Sequence, residues 1–314
     1  MNRVKNDIFA GVTAAIVALP LALAFGVASG AGAIAGLYGA IILGFFAAFF
    51  GGTPTQISGP TGPMTVIVAA TVATFPNDLP TVMTVIFLAG LMQISFGIVG
   101  IGKWIKYIPY PVISGFMCGI GVIIIILQIN PFLGVESYSS IVYTLTHLLD
   151  TFGKVNYEAV IVATITLFIM FLTPNKISKI IPPALIALVV VTYFSILMSF
   201  NITTIGEIPM SLPEFTLPFS FDILKLSTIL TLSITLALLA SIDSLLTSLV
   251  ADSKTKTKHD SKKELIGQGL GNMVCSFFGA IPGAGATMRT VININSGATT
   301  KLSGVTHSIT LLLI

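Results

Sequence analysis

Long apolar stretches alternate along this chain with short polar connections. Apolar residues dominate 8–28, 33–51, 60–74, 80–100, 109–134, 157–173, 181–200, 224–250, 261–279, 285–296 and 302 onward. Most of these approach the roughly 20 residues a helix needs to cross a hydrocarbon core of about 30 Å. The pattern therefore predicts eleven helical spans. The third and tenth are short, and each opens on helix-breakers: Gly59, Pro60, Gly62 and Pro63 in one case, Gly283 and Gly285 in the other. The segment 137–150, "SYSSIVYTLTHLLD", is too polar to cross alone and is expected to lie at the surface.

Composition sharpens this picture. Hydrophobic residues make up 54% of 314 positions, charged residues 9%, and the mean hydropathy is +0.99. A soluble chain carries about 25% charged residues. The expected fold class is an all-α polytopic membrane protein. A net charge of +3 is too small to suggest a nucleic-acid partner. Cys118 and Cys275 fall inside apolar segments, which argues against a disulfide framework. The opening "MNRVKND" imitates a signal peptide, but the apolar run behind it is long and leads at once into another span.

Charge placement gives the orientation. With the N-terminus inside, Arg3, Lys5, Lys103, Lys106, Lys176, Lys179, Lys254, Lys256, Lys258, Lys262, Lys263 and Lys301 all fall inside, 12 of the 15 basic residues. Lys154 and Lys225 fall outside, and Arg289 stays within a span. This bias predicts a cytoplasmic N-terminus in the cell (inner) membrane. His259 belongs to the basic loop "DSKTKTKHDSKKEL" and reads as solvated. His147 and His307 have no neighbours at metal-ligand spacing.

The two broken spans resemble each other. "FFGGTPTQISGPTGPMTVI" (49–67) echoes "FFGAIPGAGATMRTVI" (277–292), and seven spans separate corresponding elements. An odd number inverts the second copy across the membrane. Paired, interrupted spans in inverted halves point to the binding site of a secondary transporter. Non-helical backbone is tolerated at membrane depth only where protein or a cavity encloses it. A helix that starts there turns free N–H groups and about half a positive charge into the cavity. Two such starts facing each other make an anion cradle. Pro60 and Pro63 suit a first helical turn, where no N–H is required. Ser58 and Thr61 offer hydroxyls beside the first set of amides. Gly283, Ala284, Gly285 and Ala286 allow close approach in the second, where Thr287 supplies the hydroxyl.

Away from the span ends, two charged side chains, Asp243 and Arg289, are expected within the spans. Each costs at least about 2.5 kcal/mol there, so function is the default reading. Asp243 and Thr247 share a helical face four residues apart. A carboxylate, a hydroxyl and carbonyls of a broken helix suit Na⁺, while a lone carboxylate can carry a proton. Arg289 can attract an anion or neutralise Asp243 as a buried ion pair; the residues leave these roles open. The chain contains no phosphate loop, nucleophile elbow or pair of catalytic carboxylates. The reading is a transporter driven by an ion gradient, neither enzyme nor ATPase, with no cofactor beyond a coupling ion.

"DIFAGVTAAIVALPLALAFGVASGAGAIAGLYGA", "FFGGTPTQISGPTGPMTV", "IDSLLTSLVADSKTKTKHDSKKELIGQGLGN" and "GAGATMRTVININSG" together resemble the sulfate permease (SulP) family of anion transporters. The resemblance implies a UraA-like fold of seven-plus-seven inverted repeats and an elevator-like cycle. A core domain of residues 1–107 and 223–314 would move against a gate domain of 108–222. It implies bicarbonate as substrate and a homodimer in the bilayer. Thr61, Ala286 and Thr287 would sit at the anion, with Ser58 and Arg289 beside them. Asp243, Thr247, Gly285 and Thr287 would hold Na⁺. Many family members carry Glu at the position of Asp243 and are associated with proton coupling or exchange, so the Asp favours sodium. Arg289 matches an arginine common in the wider family, and its charge suits sulfate or another oxyanion, carried by proton symport or exchange. The family also includes anion channels. Three further spans and a cytoplasmic STAS domain are expected after Ile314, which makes the chain a truncated form of that pattern.

Overall fold

The computed structural model describes residues 2–314 apart from 108, 136–140, 175, 176, 178–182, 205–214, 216 and 218–222. Its helices are Asn2–Ala28 (α1), Ala33–Phe50 (α2), Gly62–Thr74 (α3), Leu79–Val99 (α4), Tyr110–Leu127 (α5), Ile129–Phe132 (α6), Ile141–Thr146 (α7) and Leu148–Phe152 (α8). They continue as Tyr157–Leu172 (α9), Pro183–Leu197 (α10), Leu226–Thr255 (α11), Ser261–Ser276 (α12), Thr287–Asn295 (α13) and Leu302–Leu313 (α14). The described residues add one two-stranded antiparallel pair, Ser58–Gly59 (β1) with Ala284–Gly285 (β2). Among the described residues, four helices, α1, α2, α4 and α11, are long and apolar enough to cross a membrane unaided, and α3, α9, α10 and α14 include shorter apolar helices.

A helix occupies each of the eleven predicted spans, with three differences of detail. The polar start of the chain continues α1 to Asn2, because helical hydrogen bonding does not stop where apolarity does. The fifth span breaks between Leu127 and Ile129. Pro131 lacks an N–H and its ring opposes the carbonyl four residues back, at Leu127, so a continuous helix is disfavoured. The surface segment forms two short helices that meet at His147. The first residues of that segment, the first two of the seventh span, Lys176 and Lys179 lie outside the described residues.

Two compact units emerge: residues 1–117 with 209–314, and residues 118–208. In the first, α12 packs along α4 and α2, while α1 lies against α14 and α2. The α4–α12 crossing is close because its contact positions are glycines. A Cβ on Gly90 would lie 2.6 Å from the Met273 amide nitrogen, and one on Gly269 would lie 2.6 Å from the Gly90 carbonyl oxygen. Without water to expel between helices, such small-residue contacts are a main source of helix association in lipid. Met64, Val68, Val85, Ile86, Ile229, Leu236 and Ile281 form the apolar centre of this unit. In the second unit α9 packs on α10. Asn156 caps α9 with its side-chain oxygen and donates through Nδ2 to the Asn201 carbonyl at 2.9 Å.

Candidate functional site

Both helix interruptions meet at the β1–β2 pair. Ser58 stands opposite Gly285 and Gly59 opposite Ala284. The strands are antiparallel, so the chain leaves the pair in opposite directions and α3 and α13 begin on either side of it. This juxtaposition depends on Gly283, where a Cβ would sit 2.0 Å from the Gly59 carbonyl oxygen. Asn272 on α12 fixes the same residue twice. Its Oδ1 accepts from the Gly283 amide at 2.9 Å and its Nδ2 donates to the Gly283 carbonyl at 3.1 Å.

Neither helix is capped by its own N-cap side chain. Thr61 precedes α3 with extended backbone and Ala286 precedes α13, and neither makes a side-chain cap hydrogen bond. Uncapped amides and the positive ends of two helix dipoles therefore face one space. That space is a cavity of about 400 Å³. Thr61, Gly62 and Pro63 line one side, Gly285 to Arg289 another, with Asp243, Leu21 and Phe25 completing the wall.

The residues singled out from the sequence fall into three groups. Asp243 is 3% exposed and accepts from the Thr61 hydroxyl at 2.9 Å through Oδ2. Thr247, fully buried one turn further on, donates to the Gly285 carbonyl at 2.9 Å and lies 2.7 Å from the Thr287 hydroxyl. Three hard oxygen donors thus cluster beside a carboxylate. Arg289, 2% exposed, reaches back across the pair and donates through one terminal nitrogen to the Pro60 carbonyl. Its other terminal nitrogen, Nη1, is buried without a hydrogen-bond partner. The Asp243–Arg289 ion pair left open by the sequence is not among the ion pairs of the described residues; Asp243 is taken by Thr61 instead. Ser58 does not line the cavity: its hydroxyl accepts from Gln268 Nε2 at 2.6 Å, behind the strand pair.

One expectation is corrected. Asp243 and Arg289 are not the only charged groups buried within the predicted spans, because Glu264 on α12 is 1% exposed. It follows Lys262 and Lys263 and so read as the end of a solvated basic loop. The structure instead folds 51–53 over the start of α12, and the Gly52 and Thr53 amides both donate to Glu264 Oε2 at 2.9 Å. The i, i+4, i+8 series Glu264, Gln268, Asn272 was the available signal, since it places three polar groups on one face of a span. His259 also differs from a freely solvated loop residue: its Nδ1 lies 2.7 Å from Asp252 Oδ2 and its Nε2 2.9 Å from the Ser261 hydroxyl.

Comparison with known proteins agrees with this geometry. Residues 4–314 match the sulfate permease family. The bicarbonate transporter BicA of a Synechocystis strain is 49% identical over 99% of this chain and 56% of its own length. A Bacillus subtilis protein named as a putative sulfate transporter, YvdB, is 37% identical over 100% of this chain and 60% of its own length. The chain thus spans little more than half the length of these curated relatives. The solved transmembrane domain of a cyanobacterial BicA superposes with a TM-score of 0.93 at 49% identity, covering 100% of this chain and 82% of that one. SLC26A9, at 20% identity and a TM-score of 0.85 over 99% of this chain and 53% of its own, shares the fold. An all-α, multi-pass membrane transporter fold, two helix starts facing one cavity and a family match over nearly every residue converge: the chain belongs to the sulfate permease family.

Proposed function

We propose that the protein is a sodium-coupled bicarbonate symporter of the cell (inner) membrane, with its N-terminus cytoplasmic. The observation that carries this reading is the charge balance of the cavity. Asp243 and Arg289 contribute one negative and one positive charge to a wall otherwise made of helix starts, hydroxyls and apolar side chains. A monovalent anion bound together with one Na⁺ leaves that balance at zero. Net charge is costly within a bilayer, so a neutral loaded site can move where a charged one is held back.

Each ion has a matching wall. The amides opening α3 and α13, with Thr61, Ala286 and Thr287, suit a small planar oxyanion, and Arg289 adds a positive charge behind them. Asp243, Thr247, the Gly285 carbonyl and Thr287 supply only oxygen donors, which suit a hard cation, and bound Na⁺ would offset the buried carboxylate. The name of the BicA relatives supports bicarbonate. The placement of basic residues supports the orientation. We extend the reading to an elevator-like movement of core against gate and to a homodimer, as the family resemblance implies.

Uptake of labelled bicarbonate into proteoliposomes, with and without a sodium gradient, tests the proposal. Uptake indifferent to sodium overturns the coupling. A second reading, sulfate or another oxyanion carried by proton symport or exchange, is favoured by one observation, the buried positive charge of Arg289 at the cavity wall. Sulfate that outcompetes bicarbonate would establish it.

A further inference from the structure

The residues that build the ion site are themselves held from behind by a carboxylate that does not line the cavity. Glu264 uses all of its acceptor capacity. Oε2 takes the Gly52 and Thr53 amides, each at 2.9 Å. Oε1 takes Gln56 Nε2 and Gln268 Nε2, each at 2.8 Å. All four donors are N–H groups, the arrangement an ionised carboxylate accepts best.

The two glutamines grip opposite members of one β-pair. Gln268 Nε2 also donates to the Ser58 hydroxyl at 2.6 Å. Gln56 lies so close under Gly285 that a Cβ there would be 2.2 Å from its Nε2. Ser58 and Gly285 are register partners. Gln56 also reaches α11, accepting from the Ser248 hydroxyl at 2.9 Å, one turn after Ser244, which accepts from the Gly285 amide at 3.1 Å. The Gly285 carbonyl in turn receives Thr247. Every route out of Glu264 thus ends on the residues around Gly285 or on the loop that leads into β1.

We infer that Glu264 is a positioning residue for the cation half of the site. It fixes the Gly285 carbonyl through Gln56 and Gln268 and touches neither ion. A buried network of this kind rigidifies when fully satisfied, and it loosens sharply when one member is mismatched. Glu264→Gln keeps the size but sets an NH₂ against two of the four donors, so the network can no longer be fully satisfied and the hold on the Ser58–Gly285 pair loosens. The inference rests on the sodium reading above, and the experiment separates the two.

In the protein reconstituted in liposomes, Glu264→Gln is expected to raise the sodium half-saturation at least tenfold. The anion half-saturation at saturating sodium is expected to stay within twofold, and Glu264→Asp to fall between the two forms. Hydrogen–deuterium exchange in the same variant is expected to rise in peptides covering 52–59 and 283–287, with the rest of the core unchanged. If Glu264→Gln does not assemble, Gln268→Leu, which removes the grip on Ser58 and one of the four donors to Glu264, is expected to give a smaller shift of the same kind. Equal changes in both half-saturations, exchange rising throughout the core, or no change in either variant would overturn the inference. Transport by the unmodified protein that ignores sodium would sink the coupling reading alone, and the exchange pattern would still decide the role of Glu264.

Discussion

Thr247→Val is the sharpest test of the ion site. Valine replaces a hydroxyl with a methyl of nearly the same size at a fully buried position, so packing is preserved while chemistry changes. The wild-type hydroxyl makes two contacts, to the Gly285 carbonyl at 2.9 Å and to the Thr287 hydroxyl at 2.7 Å. Losing both costs about 1 kcal/mol each in the ion-free and the loaded protein alike, so this part lowers stability and cancels from the affinity. In the loaded protein the lost oxygen is a lost ligand to a charge. Contacts of that class contribute about 1.5–3 kcal/mol. At about 1.4 kcal/mol per decade, sodium half-saturation should rise roughly 10- to 150-fold. Thr247→Ser restores the oxygen and should bring the value back to within a few-fold of the original. The assay is labelled-anion uptake into proteoliposomes across a sodium titration, with anion-induced thermal stabilisation as the check that the cavity remains intact. A valine variant that keeps its sodium half-saturation within twofold would refute the assignment of Thr247. So would a serine variant as impaired as valine.

Three further outcomes follow from other parts of the fold. Gly283→Ala forces a methyl into the Gly59 carbonyl and should prevent assembly of the strand pair, seen as loss of a monodisperse protein on size exclusion, whereas Ala284→Gly should be tolerated. Asp7→Asn weakens a carboxylate that accepts from the Thr299 and Thr300 amides at 2.6 and 3.1 Å; it should lower thermal stability by about 1–3 kcal/mol while leaving sodium dependence unchanged. At the start of α4, the hydrogen bond from Lys225 at 3.0 Å, and then that from Thr81, hold the Asp78 carboxyl below its ordinary range. Because the folded value is the lower one, the pair's contribution is complete above about pH 4 and fades as pH falls through the folded value. The pair is partly exposed, so Lys225→Met should cost less than about 1 kcal/mol at pH 7, and the difference in melting temperature should vanish in strong acid.

The sequence by itself determined the spans, the two interruptions and the residue types at them. Hydrophobicity over a membrane's thickness is a property of consecutive residues, and Gly and Pro act on the backbone where they stand. For that reason "SGPTGPM" and "GAGATM" could be read as paired helix starts before any contact was known, and Asp243 with Thr247 as one helical face. Tertiary structure decided what those residues do to each other. Thr61 rather than Arg289 meets Asp243, Arg289 turns back to Pro60, and Ser58 faces Gln268 behind the pair. These partners lie about 180 to 230 residues apart in the chain, and no local pattern encodes which hydroxyl meets which carboxylate. Glu264 makes the same point. Beside two lysines it reads as solvated, and only the return of Gly52 and Thr53 over α12 turns it into a buried anchor. Burial of a charge is settled by the donors that the rest of the fold brings to it.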